Sequence, residues 1–502
     1  MESFHFLLTG LDAALQPINL LYGFIGVFLG TLVGVLPGIG PSATIALLLP
    51  ITFKAPALAS VIMLFGIMYG AQYGGSTTSI LVNIPGEASS IITCLDGYQM
   101  ARKGRAGPAL GMAAFGSFIA GTLTLLGIIF LAPALAEFAL RFGPPEYFAL
   151  MAFGLTVVIY LARESMAKAL MMTFFGLILA SVGFDPVTGN LRFTYDILAL
   201  RDGLGLAQVV MGLYGVSEVL LTLERGVKRT IFETEIKGLL PNSKDWRDSI
   251  FPILRGTTIG FFMSIIPGMS VVIPTFVSYT LEKKLSKHPE KFGTGVIEGV
   301  AAPESCNNAA ASGGSIPLLS LGIPTGASTA LVFGALMMHG VTPGPLFIKD
   351  HPQIFWGLIG SMYIGNVMLL ALNLPLIGIW VKMLKVPYAI LFPLILFFCL
   401  IGSYSIDKSL TDMLITIIFG VVGYLMKKFH YEGAPLVLGL VLGPLMENAL
   451  RRSLIMSKGS FAIFFQRPIS IVLMGMVLVM LISPLFTKKR LAEEIVRQSE
   501  EE

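Results

Sequence analysis

Charge is scarce in this chain. Asp, Glu, Lys and Arg make up 13% of its 502 residues, about half the share of an ordinary soluble domain. Cysteine is scarcer. Cys94, Cys306 and Cys399 stand far apart with no metal-ligand spacing, so each reads as a small buried hydrophobe and no resident metal is expected. The histidines (His5, His288, His339, His351 and His430) form no HxxxH or HExxH pair. A membrane-embedded enzyme would need a convergent nucleophile, base or metal set, and none is supplied. No GxxxxGK[ST] occurs, so ATP has no phosphate-binding loop here. A formal net charge of +4 calls for no nucleic-acid partner.

What the chain has is hydrophobic length. Apolar residues make up 55% of it, and long apolar runs recur, at 20–36, 109–135, 354–380 and 469–486 among others. A bilayer is crossed by roughly 17–25 such residues. The expected fold is an all-α polytopic membrane protein of about 12 transmembrane segments. The 55 glycines and 29 prolines suit helices that pack closely and break inside the membrane.

Two polar stretches interrupt this pattern. YGGSTTSILVNIPGEASS, residues 73–90, aligns at constant offset with SGGSIPLLSLGIPTGAST, residues 312–329. Gly74, Gly75, Ser76, Ile84, Pro85, Ala88 and Ser89 match Gly313, Gly314, Ser315, Ile323, Pro324, Ala327 and Ser328. A Pro-Gly break precedes each copy, Pro37–Gly38 in the first and Pro267–Gly268 in the second. The chain therefore divides into a first transmembrane repeat (1–223), a cytoplasmic linker (224–249), a second repeat (250–487) and a charged cytoplasmic tail (488–502). In the first copy the basic loop, Arg102, Lys103 and Arg105, follows the motif. In the second, Lys283, Lys284, Lys287 and Lys291 precede it. Positive loops favour the cytoplasm, so the copies are expected to be inverted repeats with broken helices or re-entrant hairpins. Arg451 and Arg452 stand as an exception to this charge pattern.

Non-helical backbone at membrane depth implies a buried or water-filled cavity. A broken helix offers amide N–H groups for an anion at one end and carbonyls for a cation at the other. Gly38, Gly75, Pro85, Gly86, Gly268, Gly314, Pro324 and Gly326 supply the breaks. Ser76, Thr77, Thr78, Ser89, Ser315, Thr325 and Ser328 supply hydroxyls, and Asn83, Asn307 and Asn308 can donate or accept. Together these are the candidate substrate-binding residues; any single hydroxyl could equally bond back to its own helix. No Lys or Arg lies in either motif, which favours a co-bound cation. Intramembrane carboxylates are functional candidates by default. Glu87 and Glu304, with Asn83 and Asn308, are the cation-coupling candidates, although each Glu also reads as a helix cap. Glu298 reads as a loop-edge carboxylate.

VGVLPGIGPSATIALLLP, YGGSTTSILVNIPGEASSI, APESCNNAAASGGSIPLLSLGIPTG and HGVTPGPL, in this order, resemble the large membrane subunit of the tripartite tricarboxylate transporter family. The resemblance covers essentially the whole chain. It implies a multi-pass permease of the bacterial inner membrane, working with a small four-helix membrane subunit and a periplasmic solute-binding protein. The implied substrates are organic acids, citrate among them. The implied drive is a gradient of Na⁺ or H⁺, with no other cofactor. Elevator-like motion of the two motif regions is the expected mechanism. An organic-anion channel or a structural membrane scaffold is the alternative.

Overall fold

A computed structural model describes residues 2–36, 40–162, 165–185, 187–225, 238–267, 269, 271–383 and 388–483. Gly38, Gly268, most of the linker before 238 and the tail at 488–502 lie outside the described residues. The first half comprises α1 (Glu2–Leu15), α2 (Pro17–Val35), α3 (Gly40–Thr52), α4 (Ala57–Val82), α5 (Thr93–Arg102), α6 (Ala106–Ala139), α7 (Pro144–Tyr160), α8 (Met166–Ala180), α9 (Leu206–Val210) and α10 (Ser217–Arg225). A π-helical segment, Met211–Val216, joins the last two. The second half comprises α11 (Ser243–Ser264), α12 (Val272–Leu285), α13 (Glu298–Gly313), α14 (Ser315–Leu321), α15 (Ala327–Met338), α16 (Phe347–Asp350), α17 (Pro352–Asn373), α18 (Ile377–Met383), α19 (Tyr388–Asp407), α20 (Leu410–Lys428) and α21 (Gly433–Met456). An apolar helix α22 (Pro468–Ser483) follows. Among the described residues, β-structure is confined to Gly183–Phe184 paired antiparallel with Leu191–Arg192.

Seven of the described helices are long and apolar enough to cross a membrane: α2, α4, α6, the α9–α10 unit, α17, α20 and α21. Others, including α3, α7, α8 and α15, are apolar but shorter. The protein is therefore an all-α, multi-pass membrane protein by length and composition. The short apolar helices are where the sequence-based span number and the helix lengths diverge.

Close backbone contact builds the core. A Cβ atom on Gly26, Gly30 or Gly34 of α2 would lie 2.3, 2.6 or 2.2 Å from the carbonyl oxygens of Met63, Ile67 or Ala71 on α4. Four-residue spacing on both helices keeps these groups on facing stripes. The second half repeats the device. Cβ atoms on Gly256 and Gly260 of α11 would sit 2.3 and 2.2 Å from the Ala302 and Cys306 carbonyls of α13. With Pro37 aligned to Pro267, Gly26 and Gly30 match Gly256 and Gly260. The motif offset matches Met63 and Ile67 to Ala302 and Cys306. The repeat is thus one of packing as well as sequence.

Polar contacts join the halves at one end of the bundle. Buried Asp96 on α5 accepts hydrogen bonds from the amides of Gly293, Gly295 and Val296 at 2.7–3.0 Å and from Tyr279 Oη at 2.8 Å. Lys103 donates to the Thr294 carbonyl, and Arg105 pairs with Asp245. At one end of α8, Lys168 donates to the Phe429 carbonyl. Beyond its other end, Asp185 pairs with Arg451 at 3.1 Å, and Glu447 pairs with both Arg192 and Arg451. Arg451, exceptional by the charge pattern, is thus neutralised by local acids.

Candidate functional site

The polar motif at residues 73–90 is not irregular throughout, contrary to the sequence reading of a non-helical Gly/Ser/Thr run. Gly74–Val82 continue α4, and the break is confined to the residues that follow. Helical backbone satisfies its own hydrogen bonds, so Gly, Ser and Thr can stay helical where packing favours close approach. In the second copy α13 and α14 likewise run to Leu321 before the chain breaks.

The two breaks share one construction. Each helix ends on a left-handed residue, Asn83 (φ 57°) or its counterpart Gly322 (φ 72°). Asn is the side chain that best tolerates this conformation after Gly. Ile-Pro follows in both copies, and Pro cannot continue the helix. An extended residue, Glu87 or Gly326, then caps the next helical turn. Its amide donates to a hydroxyl three residues on, Ser90 Oγ at 3.4 Å or Thr329 Oγ1 at 2.9 Å. In both copies this is one half of a capping box, the contact from the third residue's side chain back to the cap amide.

Both tips reach one cavity of about 410 Å³. Its wall is formed by Gly40, Pro41 and Ser42 at the start of α3; Glu87, Ala88 and Ser89; Met269, Val271 and Val272 at the start of α12; and Thr325–Thr329. Gln72, Tyr214, Ala310 and Glu432 contribute further lining. The starts of α3 and α12 and the two motif breaks therefore converge. Ser42 Oγ and Ser328 Oγ share a hydrogen bond of 2.8 Å, linking the halves across the wall. Ser89 donates to Gln72 Oε1 at 2.7 Å. The Tyr214 hydroxyl is buried without a hydrogen-bond partner among the described residues. It belongs to the π-helical segment, a conformation that often marks functional positions.

The electrostatics follow from helix direction. α3, α12, α15 and the 3₁₀ turn Ala88–Ile91 all begin at the cavity. A helix N-terminus carries a partial charge of roughly +0.5 and unpaired amides that point outward. Among the described lining residues none is Lys or Arg. Positive potential here therefore comes from backbone ends and hydroxyls, while Glu87 and Glu432 place carboxylates on the same wall. The arrangement can hold an anion without a salt bridge, and its acids can meet a cation. A larger cavity of about 950 Å³, lined by Asp185, Arg192, Arg201, Asp202, Glu447, Arg451 and Arg452, lies along α15 and α21. It contains no residue of either break.

The candidate residues separate by position. Ser89, Thr325, Gly326, Ser328 and Glu87 line the cavity. Gly75 and Gly86 instead meet α2: a Cβ on Gly86 would lie 2.0 Å from the Gly34 carbonyl oxygen and 2.6 Å from Gly75 Cα. Thr78 donates to the Val35 carbonyl at 2.8 Å. Thr77 lies beside a small void with Tyr73 and Asn373. Ser76 and Thr93 both donate to the carboxylate of fully buried Glu304. Asn307 is equally buried, and neither amide atom has a partner among the described residues. Asn308 donates to Ser117 Oγ at 2.6 Å. Gly314 packs beside Thr325, and Ser315 donates to the Ser312 carbonyl. Pro85 and Pro324 follow the left-handed caps, where Asn83 itself stays outside the cavity. Gly38 and Gly268 fall outside the described residues.

Sequence reasoning missed Ser42, Gln72, Thr93, Tyr214 and Glu432. Ser42 closes the first Pro-Gly stretch, and Gln72 lies one turn before Ser76, so both were within reach of helical spacing. Tyr214 and Glu432 had no such signal, because each sits in an apolar or loop context far from the motifs.

The sequence pattern of the Tripartite tricarboxylate transporter TctA family matches residues 20–438. An Agrobacterium vitis protein named "Uncharacterized 52.8 kDa protein in TAR-I ttuC' 3'region" is 49% identical over 461 residues, covering 92% of each chain. A second, named "Uncharacterized protein in TAR-II ttuC' 3'region", from the same organism, is 50% identical over 231 residues. That alignment covers 46% of the present chain and 96% of the relative. No solved structure matches the chain.

Proposed function

Because the chain belongs to the tripartite tricarboxylate transporter TctA family, we propose that it is the large permease subunit of a binding-protein-dependent secondary transporter. On this reading it imports a di- or tricarboxylate across the bacterial inner membrane. The observation that carries the proposal is the convergence of three helix N-termini, those of α3, α12 and α15, without Lys or Arg among the described lining residues, on one cavity of about 410 Å³. That volume lies within the range of about 300–1,000 Å³ usual for small-molecule sites. A citrate-like anion would be held by backbone amides and the hydroxyls of Ser42, Ser89, Thr325 and Ser328. A gradient of Na⁺ or H⁺ would drive its accumulation, the cation offsetting substrate charge. A periplasmic solute-binding protein would deliver the acid, and a small four-helix subunit would complete the membrane complex.

The matched glycine contacts of α2–α4 and α11–α13 support two repeats. The contact of Lys103 with Thr294 supports their inversion: the basic loop after the first motif meets the basic loop before the second. In this reading Gly74–Ser90 and Asn307–Thr329 shift together against the remaining helices and expose the cavity to each side in turn. The cavity reaches Leu161 and Glu432, beside the basic end marked by Lys168 and Phe429, which supports reading the described conformation as inward-facing.

Uptake of radiolabelled di- and tricarboxylates by vesicles holding the complete transporter, with and without a Na⁺ gradient and with and without a pH gradient, tests the proposal. Saturable, gradient-dependent accumulation is expected. Conductance at single-channel rates, or no acid accumulated under either gradient, would overturn it in favour of a channel or a scaffold.

A further inference from the structure

Beneath the cavity lies a second polar site, which the anion does not reach. Glu304 is fully buried on α13, and among the described residues no Lys, Arg or His pairs with it. Its two carboxylate oxygens take hydrogen bonds from Ser76 of α4 and Thr93 of α5. Two neutral donors do not cancel a buried charge, so the group is neutral either through its own proton or through a bound cation. A second observation is independent of this carboxylate. Asn307 is 0% exposed, and neither its Oδ1 nor its Nδ2 has a partner among the described residues. Buried amides are almost always satisfied. Asn307 follows Glu304 by three positions, so the two are neighbours on the surface of α13. Ala310 and Ala311, three and four positions further on, line the cavity. Asn307 therefore lies between Glu304 and the cavity wall.

We propose that Glu304, Ser76, Thr93 and Asn307 form a binding site for Na⁺, one helical turn behind the carboxylate cavity. The donor set is all oxygen: a carboxylate, two hydroxyls and an amide carbonyl. Hard cations select such ligands. A proton would neutralise Glu304 but leave Asn307 unsatisfied, whereas a metal ion uses both. The site is wired to the cavity through both arms that build it. Gln72 and Ser89, hydrogen-bonded to each other, line the cavity. Ser76 follows Gln72 by one turn, its Oγ 3.0 Å from the Gln72 carbonyl; Thr93 follows Ser89 by the same spacing. An ion that draws α4 and α5 onto α13 thereby sets the wall against which the anion binds. Of the acids singled out in the sequence, this assigns the ion to Glu304 and leaves Glu87 to the cavity. The inference rests on the carrier reading above but is measured without any carboxylate.

The test is equilibrium binding of ²²Na⁺ to the purified full-length chain in detergent, without organic acid. Saturable binding is expected for the parent chain and for Glu298→Gln, a change on the same helix outside the site. Glu304→Gln should abolish binding, and Thr93→Val and Asn307→Ala should each weaken it by about tenfold or more, as loss of one ligand does. Thermal melting with NaCl against choline chloride shows whether each variant folds; Thr93→Val and Asn307→Ala keep the test decisive if Glu304→Gln does not. Equal Na⁺ affinity in parent and variants, or no Na⁺ binding by the parent chain, overturns the site. Absence of carboxylate uptake alongside intact Na⁺ binding would instead overturn the carrier reading alone.

Discussion

Gly86 offers the sharpest test of how the first tip is held. A methyl group added there would lie 2.0 Å from the Gly34 carbonyl oxygen and 2.6 Å from Gly75 Cα. Both obstacles are backbone, on α2 and α4, and neither can rotate away as a side chain would. Overpacking of a well-packed core costs about 1–3 kcal/mol, and contacts this short against main chain place Gly86→Ala at about 3 kcal/mol. That is roughly a hundredfold in the folding equilibrium, at about 1.4 kcal/mol per factor of ten. The only relief is to move the tip, which carries Glu87 and Ser89 into the cavity. Uptake should therefore fall even in the fraction that stays folded. Gly326, at the opposite tip, is the matched control. A Cβ there meets nothing within 4 Å, and its φ of −171° suits any residue. Gly326→Ala should change stability by less than about 0.5 kcal/mol. Thermal unfolding in detergent, read beside vesicle uptake, separates the two variants. A Gly86→Ala chain as stable as the parent would refute the close three-glycine contact.

Ser328→Ala removes one side of the Ser42–Ser328 hydroxyl pair and should cost about 1 kcal/mol; adding Ser42→Ala should cost little more, since the two act as one unit in a double-mutant cycle. Tyr214→Phe deletes a hydroxyl that has no partner among the described residues, so melting should be unchanged. The half-saturation constant for uptake should be unchanged as well, since the hydroxyl presents no surface to the cavity; a rise of about tenfold would place it on the substrate. Asp185 is held down to about 2, chiefly by the Val187 amide and further by Thr188 and Arg451, against the opposing effect of burial. The unfolded value is about 3.9, so the stabilisation is complete above about pH 4 and is lost as pH falls toward about 2. Asp185→Asn should therefore melt below the parent at about pH 6, and the gap should close as the pH approaches 2; a gap independent of pH would refute the assignment.

Much of this was legible in the residues. Constant-offset matching of Gly74–Ser89 to Gly313–Ser328 located both breaks, because Pro and left-handed caps act locally. The extent of each break was not legible. Gly, Ser and Thr look helix-averse in isolation, yet Gly74 is required helical by the approach of α2, where a Cβ would lie 2.1 Å from the Thr31 carbonyl oxygen. Tertiary contact overrides propensity there. Hydroxyl content alone could not separate cavity from core. Thr78 and Ser89 belong to one motif, but one ties α4 to α2 and the other lines the cavity. Glu432 and Tyr214 reach the wall from distant helices, and only the packing of α21 and the π segment brings them there.

The proposed transport cycle requires the acid to bind in the cavity between the two tips. Ala88 is exposed at the cavity wall, at the start of a 3₁₀ turn. Alkylation of an Ala88→Cys chain by N-ethylmaleimide, with and without the transported acid, measures occupancy of that cavity directly. The prediction is saturable protection whose half-maximal concentration equals that for uptake. An alkylation rate unchanged at saturating acid, in a chain that still transports it, would contradict the assignment.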